Sequence, residues 1–238
     1  MQKRFRGTGR GTAVVLAALL AVAGCRPGGG GDGGRSEEDG GPGGGRPSGP
    51  ALAAVASLTV KGRAPKTGYE RSAFGSSWVD TDHNGCGTRE DILKRDLAKV
   101  RFRDGHCLIA SGTLDDDPYT GRDVRFVRGH SEVDIDHVVA LSDAWQKGAR
   151  QWDRDKRVVF ANDPLNLIAV DASANRGKGD GDAATWLPPN KAYRCDYVAH
   201  QTAVKKKYGV WVTRAEKAAM TRVLNGCPDT NLPARGGR

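Results

Sequence analysis

At 238 residues, with 38% hydrophobic and 27% charged positions, the chain can bury one sizeable core with tails, or two small domains. Its formal charge of +9 falls to +5 if Lys3, Arg4, Arg6 and Arg10 leave with an N-terminal leader; this suits an anionic partner without identifying one. No internal repeat is visible, which excludes solenoids and propellers.

The chain opens on a basic segment, "MQKRFRGTGR", followed by the apolar run "TAVVLAALLAVA". Twelve apolar residues are too few to remain as a membrane span, so residues 1–24 are predicted to be a secretory signal. "VAGC" resembles a bacterial lipobox, in which Cys25 becomes the lipidated first residue. The rival is cleavage after Ala21-Val22-Ala23, which leaves Cys25 a spare thiol. Five cysteines favour the lipobox: with Cys25 carrying lipid, Cys86, Cys107, Cys195 and Cys227 form an even set for disulfides. The predicted location is the outer face of the cell membrane, or the medium if no lipid is added. The membrane is a partner through that anchor alone.

Residues 25–56 are mostly Gly, Pro, Ser and charge, a composition that cannot offset its own ordering entropy, so they are predicted to be a flexible tether. Residues 57–238 are predicted to be the folded domain. "TREDILKRDLAKV" reads as a helix with Thr88 as cap, Asp91 at the capping-box position, and Leu93, Leu97 and Val100 on one face. "DDDPYTG" is a turn by its Asp, Pro and Gly content. "EVDIDH" and "NLIAV" are strands, and the stretch between them reads as helical, with Trp145, Trp152 and Phe160 as core candidates. "CDYVAHQTAVKKKYG" and "TRAEKAAMTRVLNG" are helices, the second with Thr213 and Glu216 as a capping box and Gly226 as its stop. Strands and helices mix without regular alternation, so the fold class is α+β. Four cysteines allow three connectivities; the local one, Cys86 with Cys107 and Cys195 with Cys227, is the preferred expectation. A four-cysteine zinc site lacks the close pairs it needs.

Three segments carry chemistry: "DIDHVVAL", "NDPLNLIAV" and "SANRGKGD". Hydrolysis of a phosphodiester needs an activated water, a cation on the phosphoryl oxygen and help for the leaving oxygen. A histidine with a neighbouring carboxylate can supply the base and hold a hard divalent ion. Strand neighbours point to opposite faces, so Asp136 and His137 diverge unless the strand ends or bulges there. In this order the segments resemble the HNH, or ββα-metal, nucleases, and "NRGK" resembles the corresponding run in the HNH domain of RNA-guided CRISPR nucleases. With "GCGTREDIL", "DPYTG", "FANDPLNL" and "WLPP", the chain is similar to the GmrSD-type branch found in exported actinobacterial proteins, over roughly residues 60–227.

The resemblance implies a ββα-metal core over about residues 130–185, embedded in flanking helices and disulfide-stabilised. It implies His137 as general base, Asn166 as the residue that orients the imidazole, and Asp136 and Asn175 as metal ligands. Lys178 would assist catalysis, and Arg176 would contact phosphate. The implied cofactor is Mg2+, with Mn2+ as the alternative; the implied substrate is DNA, with RNA as the alternative, and no protein partner is implied. Each residue also has a plainer role: a half-buried histidine for His137, a turn for Asn166, a helix cap for Asn175, a solvated loop charge for Lys178. Asp134 is read as hairpin support. His137 and Asn166 lie 29 residues apart, farther than in the smallest HNH domains. The competing function is a non-catalytic nucleic-acid-binding or surface module on the same scaffold. A cell-wall hydrolase is disfavoured by the absence of H-E-x-x-H. With no base-reading motif, binding should be phosphate-dominated and weakly specific.

Mass spectrometry of the N-terminal peptide from cells tests the anchor. The expected result is a lipid-modified Cys25; an unmodified Cys25, or cleavage after Ala23, removes it.

Overall fold

The computed structural model describes residues 50–233; the signal, Cys25 and most of the tether lie outside the described residues. The folded unit begins earlier than composition suggests. Helix α1 (Pro50–Ser57) buries Ala51 and Val55, so residues 50–56 belong to the domain rather than to the tether. Short apolar side chains on one helical face override the Gly- and Pro-rich signal just before them.

A loop containing a 3-10 turn (Arg71–Phe74) leads to helix α2 (Thr88–Asp96). The cap differs from expectation. Gly87 is the N-cap, and Thr88 sits inside the helix and donates its hydroxyl to the Val79 carbonyl. The helix also stops sooner, at Asp96, and Val100 lies in a strand. That strand, β1 (Ala98–Asp104), pairs antiparallel with β2 (Leu108–Leu114), which pairs with β3 (Val124–Val127). The β1–β2 register is irregular and many β1 positions are exposed, so no clean alternation marks this sheet in the sequence.

A second antiparallel pair joins β4 (Val133–His137) to β5 (Leu167–Asp171), with His137 opposite Leu167 and Asp136 opposite Ile168. Between them run α3 (Leu141–Gln146) and α4 (Arg154–Ala161), with Trp145 and Phe160 buried and Trp152 packed against the same cluster. Helix α5 (Ala172–Lys178) follows β5 directly, capped by the Asp171 carboxylate and ended by Gly179 at φ +53°. Helices α6 (Arg194–Tyr208) and α7 (Arg214–Asn225) complete the fold; Thr213 and Glu216 form the expected capping box. The architecture is α+β.

The β4–β5 ribbon is buried on both faces. Val138, Ile168 and Val170 join a core with α1, α6 and α7, whereas Val133, Ile135, Leu167 and Ala169 join one with α2 and the three-stranded sheet. A strand covered on both sides reads as a continuous apolar run, as β5 does. Disulfides link Cys86 to Cys107 and Cys195 to Cys227. No helix among the described residues is long and apolar enough to cross a membrane.

Six charges are gathered beneath the insertion. Lys147 Nζ lies 2.6 Å from Asp143, 2.8 Å from Asp182 and 2.6 Å from Glu216. Lys205 reaches Asp143 at 3.2 Å and Glu216 at 2.9 Å, and Arg63 reaches Asp143 and Asp182. Three cations balance three anions, so each buried charge is matched. Removing one leaves an uncompensated buried charge, which costs about 3–5 kcal/mol. Lys147→Met should therefore lower the unfolding free energy by that order, read as a lower urea midpoint with little change in m-value. An unchanged midpoint would refute the structural weight given to this network.

Candidate active site

The order strand, strand, helix in β4, β5 and α5 places three sequence segments around one groove. It has a volume of about 340 Å³ and is lined by Tyr69, Arg71, Trp78, Arg89, residues 134–137, Ala140, Leu141, Asn175, Gly179 and Asp180. Residues from both faces of β4 line it, so it runs along that strand's unpaired edge. Helix α2, through Arg89, forms one wall, and α5, through Asn175, forms the other.

His137 ends β4 and is buried. Its Nε2 lies 2.8 Å from the Ala161 carbonyl. A carbonyl only accepts, so Nε2 carries the proton and the lone pair resides on Nδ1. Burial pushes the imidazole pKa down to about 3, against which the Ala161 bond acts in the opposite sense. The ring is therefore neutral at physiological pH. Trp78 stacks on it at 6.3 Å between centroids and 16° between planes.

Asn166 is fully buried, and its amide bonds to backbone rather than to the imidazole. Its Oδ1 accepts from Val139 N at 2.9 Å, and its Nδ2 donates to Val139 O at 3.3 Å and, weakly, to Phe160 O at 3.5 Å. It grips the chain just beyond His137 and the last turn of α4, whose Ala161 carbonyl holds the ring. Orientation of the imidazole thus passes through two pieces of backbone rather than one side-chain contact.

Asp134 and Asp136 point to one face of β4 and His137 to the other, the divergence that strand geometry requires. The two acids have different partners. Asp136 is buried: Tyr119 Oη donates to it at 2.5 Å, and Lys178 Nζ lies 3.0 Å from each of its oxygens. Burial pushes its pKa up, while Lys178 and Tyr119 oppose that shift. Asn175 meets Asp134 instead, with Nδ2 at 3.2 Å from Oδ2. Rotating that amide by half a turn exchanges Nδ2 for Oδ1 and sets two oxygens side by side. A carboxylate and an amide oxygen at the edge of an open groove are hard donors that fit Mg2+ or Mn2+ with water completing the shell. Asp136, expected to hold the ion, is committed to Lys178 and Tyr119.

The resemblance implies that Lys178 assists catalysis. Its ammonium is buried and also donates to the His137 carbonyl at 2.9 Å, which ties α5 to the end of β4. Arg176 lines a separate groove with Arg122, Glu132 and Asp171. Among the described residues, one His/Cys/Asp/Glu cluster is tight enough for a metal, Cys86–His106–Cys107, but both sulfurs are joined in the disulfide. The sequence reading missed Arg71, Trp78, Arg89 and Tyr119. Arg89 and Tyr119 lie inside quoted blocks ("GCGTREDIL" and "DPYTG"), whereas Arg71 and Trp78 carry no local signal.

The family profile for the C-terminal domain of GmrSD restriction endonucleases matches residues 87–223, more than half of the chain. The chain belongs to that family. The matched span contains β1 to β5, both groove walls from Arg89 to Asn175, and most of α7. A family relative from the fungus Arthroderma benhamiae, called an uncharacterized secreted protein, is 42% identical over 179 residues, which cover 74% of this chain and 84% of the relative. The similarity thus reaches beyond the bacterial branch that the motifs suggested. No solved structure gives a significant match.

The imidazole makes stability depend on pH in a defined direction. Below its unfolded pKa of about 6.5, the unfolded chain takes up a proton that folded His137 resists until about pH 3. Stability should therefore fall as pH drops through that window. Urea titrations across it should show a shallower slope for His137→Gln; equal slopes would show that His137 is not held neutral.

Proposed function

We propose that the chain is an exported, metal-dependent HNH endonuclease that hydrolyses DNA phosphodiesters with low sequence specificity. The observation that carries this reading is the neutral, backbone-anchored imidazole of His137 on the same groove as the Asp134–Asn175 pair. Export is supported by the signal-like N-terminus, the two disulfides and the secreted fungal relative.

In this reading His137 Nδ1 takes the proton of the attacking water. Donation from Nε2 to Ala161 keeps the lone pair on the other nitrogen, and the anionic substrate raises the depressed pKa toward working range. Asp134 and Asn175 hold the divalent ion, which supplies charge stabilisation at the phosphoryl group when bound. Asn166 sets the ring through Val139 and α4. Asp136 and Lys178 fix the end of β4 from beneath.

Incubation of the mature chain, disulfides formed, with supercoiled plasmid tests the proposal. Nicking should require Mg2+ or Mn2+ and stop with EDTA. His137→Ala should lose about 10²–10⁴-fold in rate. Asp134→Asn should raise the metal concentration for half-maximal rate, whereas Asp136→Asn should chiefly lower thermal stability. Absence of nicking with any metal, or equal nicking by His137→Ala, leaves a binding module on the same scaffold.

A further inference from the structure

Lys178, expected to assist catalysis, and Arg176, expected at phosphate, are both engaged elsewhere. Lys178 is buried against Asp136 and the His137 carbonyl, and Arg176 faces another groove. The groove nevertheless carries positive charge. Of its acids, Asp180 is paired with Lys66 at 2.6 Å and Asp136 with Lys178 at 3.0 Å. Asp134 then stands against two guanidiniums, Arg71 and Arg89, neither of which makes a salt bridge among the described residues. The buried lysines 147, 178 and 205 are all paired with carboxylates. Two arginines without a salt bridge on one concave site, exposed Arg71 and half-buried Arg89, exceed its remaining acid before any divalent ion binds and give the groove a net attraction for an anion.

We propose that Arg71 and Arg89 form the phosphate clamp of this groove, with Trp78 as the platform that holds Arg89. The inference rests on the nuclease reading for the identity of the anion, a nucleic-acid phosphate. The Arg89 guanidinium lies 5.8 Å from the Trp78 ring centroid, and the same ring stacks on His137. Burial pushes the Arg89 pKa down, and Arg128 adds to that shift, while Glu90 and, more weakly, Asp134 draw it up. Arg71 lines the same groove, and its charge helps lower the His137 pKa.

The platform is built deliberately. Trp78 has φ +61°, a conformation that a bulky side chain adopts only when its surroundings impose it. Asn162 Oδ1 accepts from Val79 N at 3.0 Å, and Thr88 donates to Val79 O. Gly87 lets the Trp78 carbonyl approach; a Cβ there would stand 2.7 Å from it. The Cys86–Cys107 disulfide anchors the same turn to the β1–β2 hairpin. Fixing the ring before substrate arrives reduces the entropy lost when a phosphate is gripped. A guanidinium presents a planar fork that matches phosphate oxygens, which a lysine does not.

The test measures anisotropy of a short labelled DNA duplex bound to the mature chain in EDTA, over a range of salt. Arg71→Ala and Arg89→Ala should each reduce the magnitude of the log–log salt slope by about 0.9, the value for one phosphate contact. Arg89→Lys should keep the slope but weaken binding, and the rival Arg176→Ala should bind as wild type. Plasmid nicking by the Arg71→Ala/Arg89→Ala double variant should show a raised KM, with circular dichroism confirming the fold. A wild-type slope in the double variant, or no duplex binding by the wild-type chain, overturns the clamp. If the arginine variants lose slope but the wild type never nicks plasmid, the nuclease reading fails and the clamp stands. If the double variant nicks normally while His137→Ala is silent, the clamp fails and the nuclease reading stands.

Discussion

The ammonium of Lys178 is the interaction on which the arrangement of the groove depends. It is buried where no water can solvate it, so it must be met by oxygens. Those available are both oxygens of Asp136 and the carbonyl of His137, all at the end of β4. One residue of α5 therefore fixes the helix to the ribbon and the height of the strand end on which the imidazole is mounted. It also fixes the roles of two acids that are alike in sequence. Asp136 is spent on the ammonium and on Tyr119, and Asp134, one strand period earlier, is left at the groove edge with Asn175.

A second ionic assembly supports the first. The insertion between β4 and β5 would be a long excursion without its own anchor. Lys147 at the end of α3, Lys205 in α6 and the partly exposed Arg63 in the leading segment share the buried Asp143, Asp182 and Glu216 in a balanced set. Glu216 also closes the capping box of α7, so the start of that helix and the insertion are positioned together. Paired charges of this kind are weak sources of net stability, but each is costly to leave alone, which favours a single arrangement. The reward is a rigid α4, whose Ala161 carbonyl holds His137.

The electrostatics of the groove follow from that rigidity. An imidazole kept neutral by burial is ready to accept a proton, but it holds one poorly until negative charge arrives beside it. The charges of Arg71 and Lys178 deepen that reluctance in the free protein. In the proposed reading, base and clamp act in sequence: the arginines collect the phosphate, and its charge restores basicity to the ring.

Much was legible in the sequence wherever the signal is local. The capping box of α7, the strand period of "EVDIDH", the unbroken apolar run of β5 and the local cysteine pairing each depend on neighbours a few residues apart, or on simple pairing. The three-stranded sheet was not legible, because its first strand is exposed and out of register and its residues continue an apparent helix. Arg71 and Trp78 carried no signal because their meaning is positional; they reach His137 across more than fifty residues of chain. The sequence by itself determined which residue types are present for the chemistry, the α+β class and the family blocks. Only the tertiary structure decided which aspartate pairs with Lys178 and which with Asn175, and which lysine is buried, because burial and pairing are set by elements that meet from distant parts of the chain.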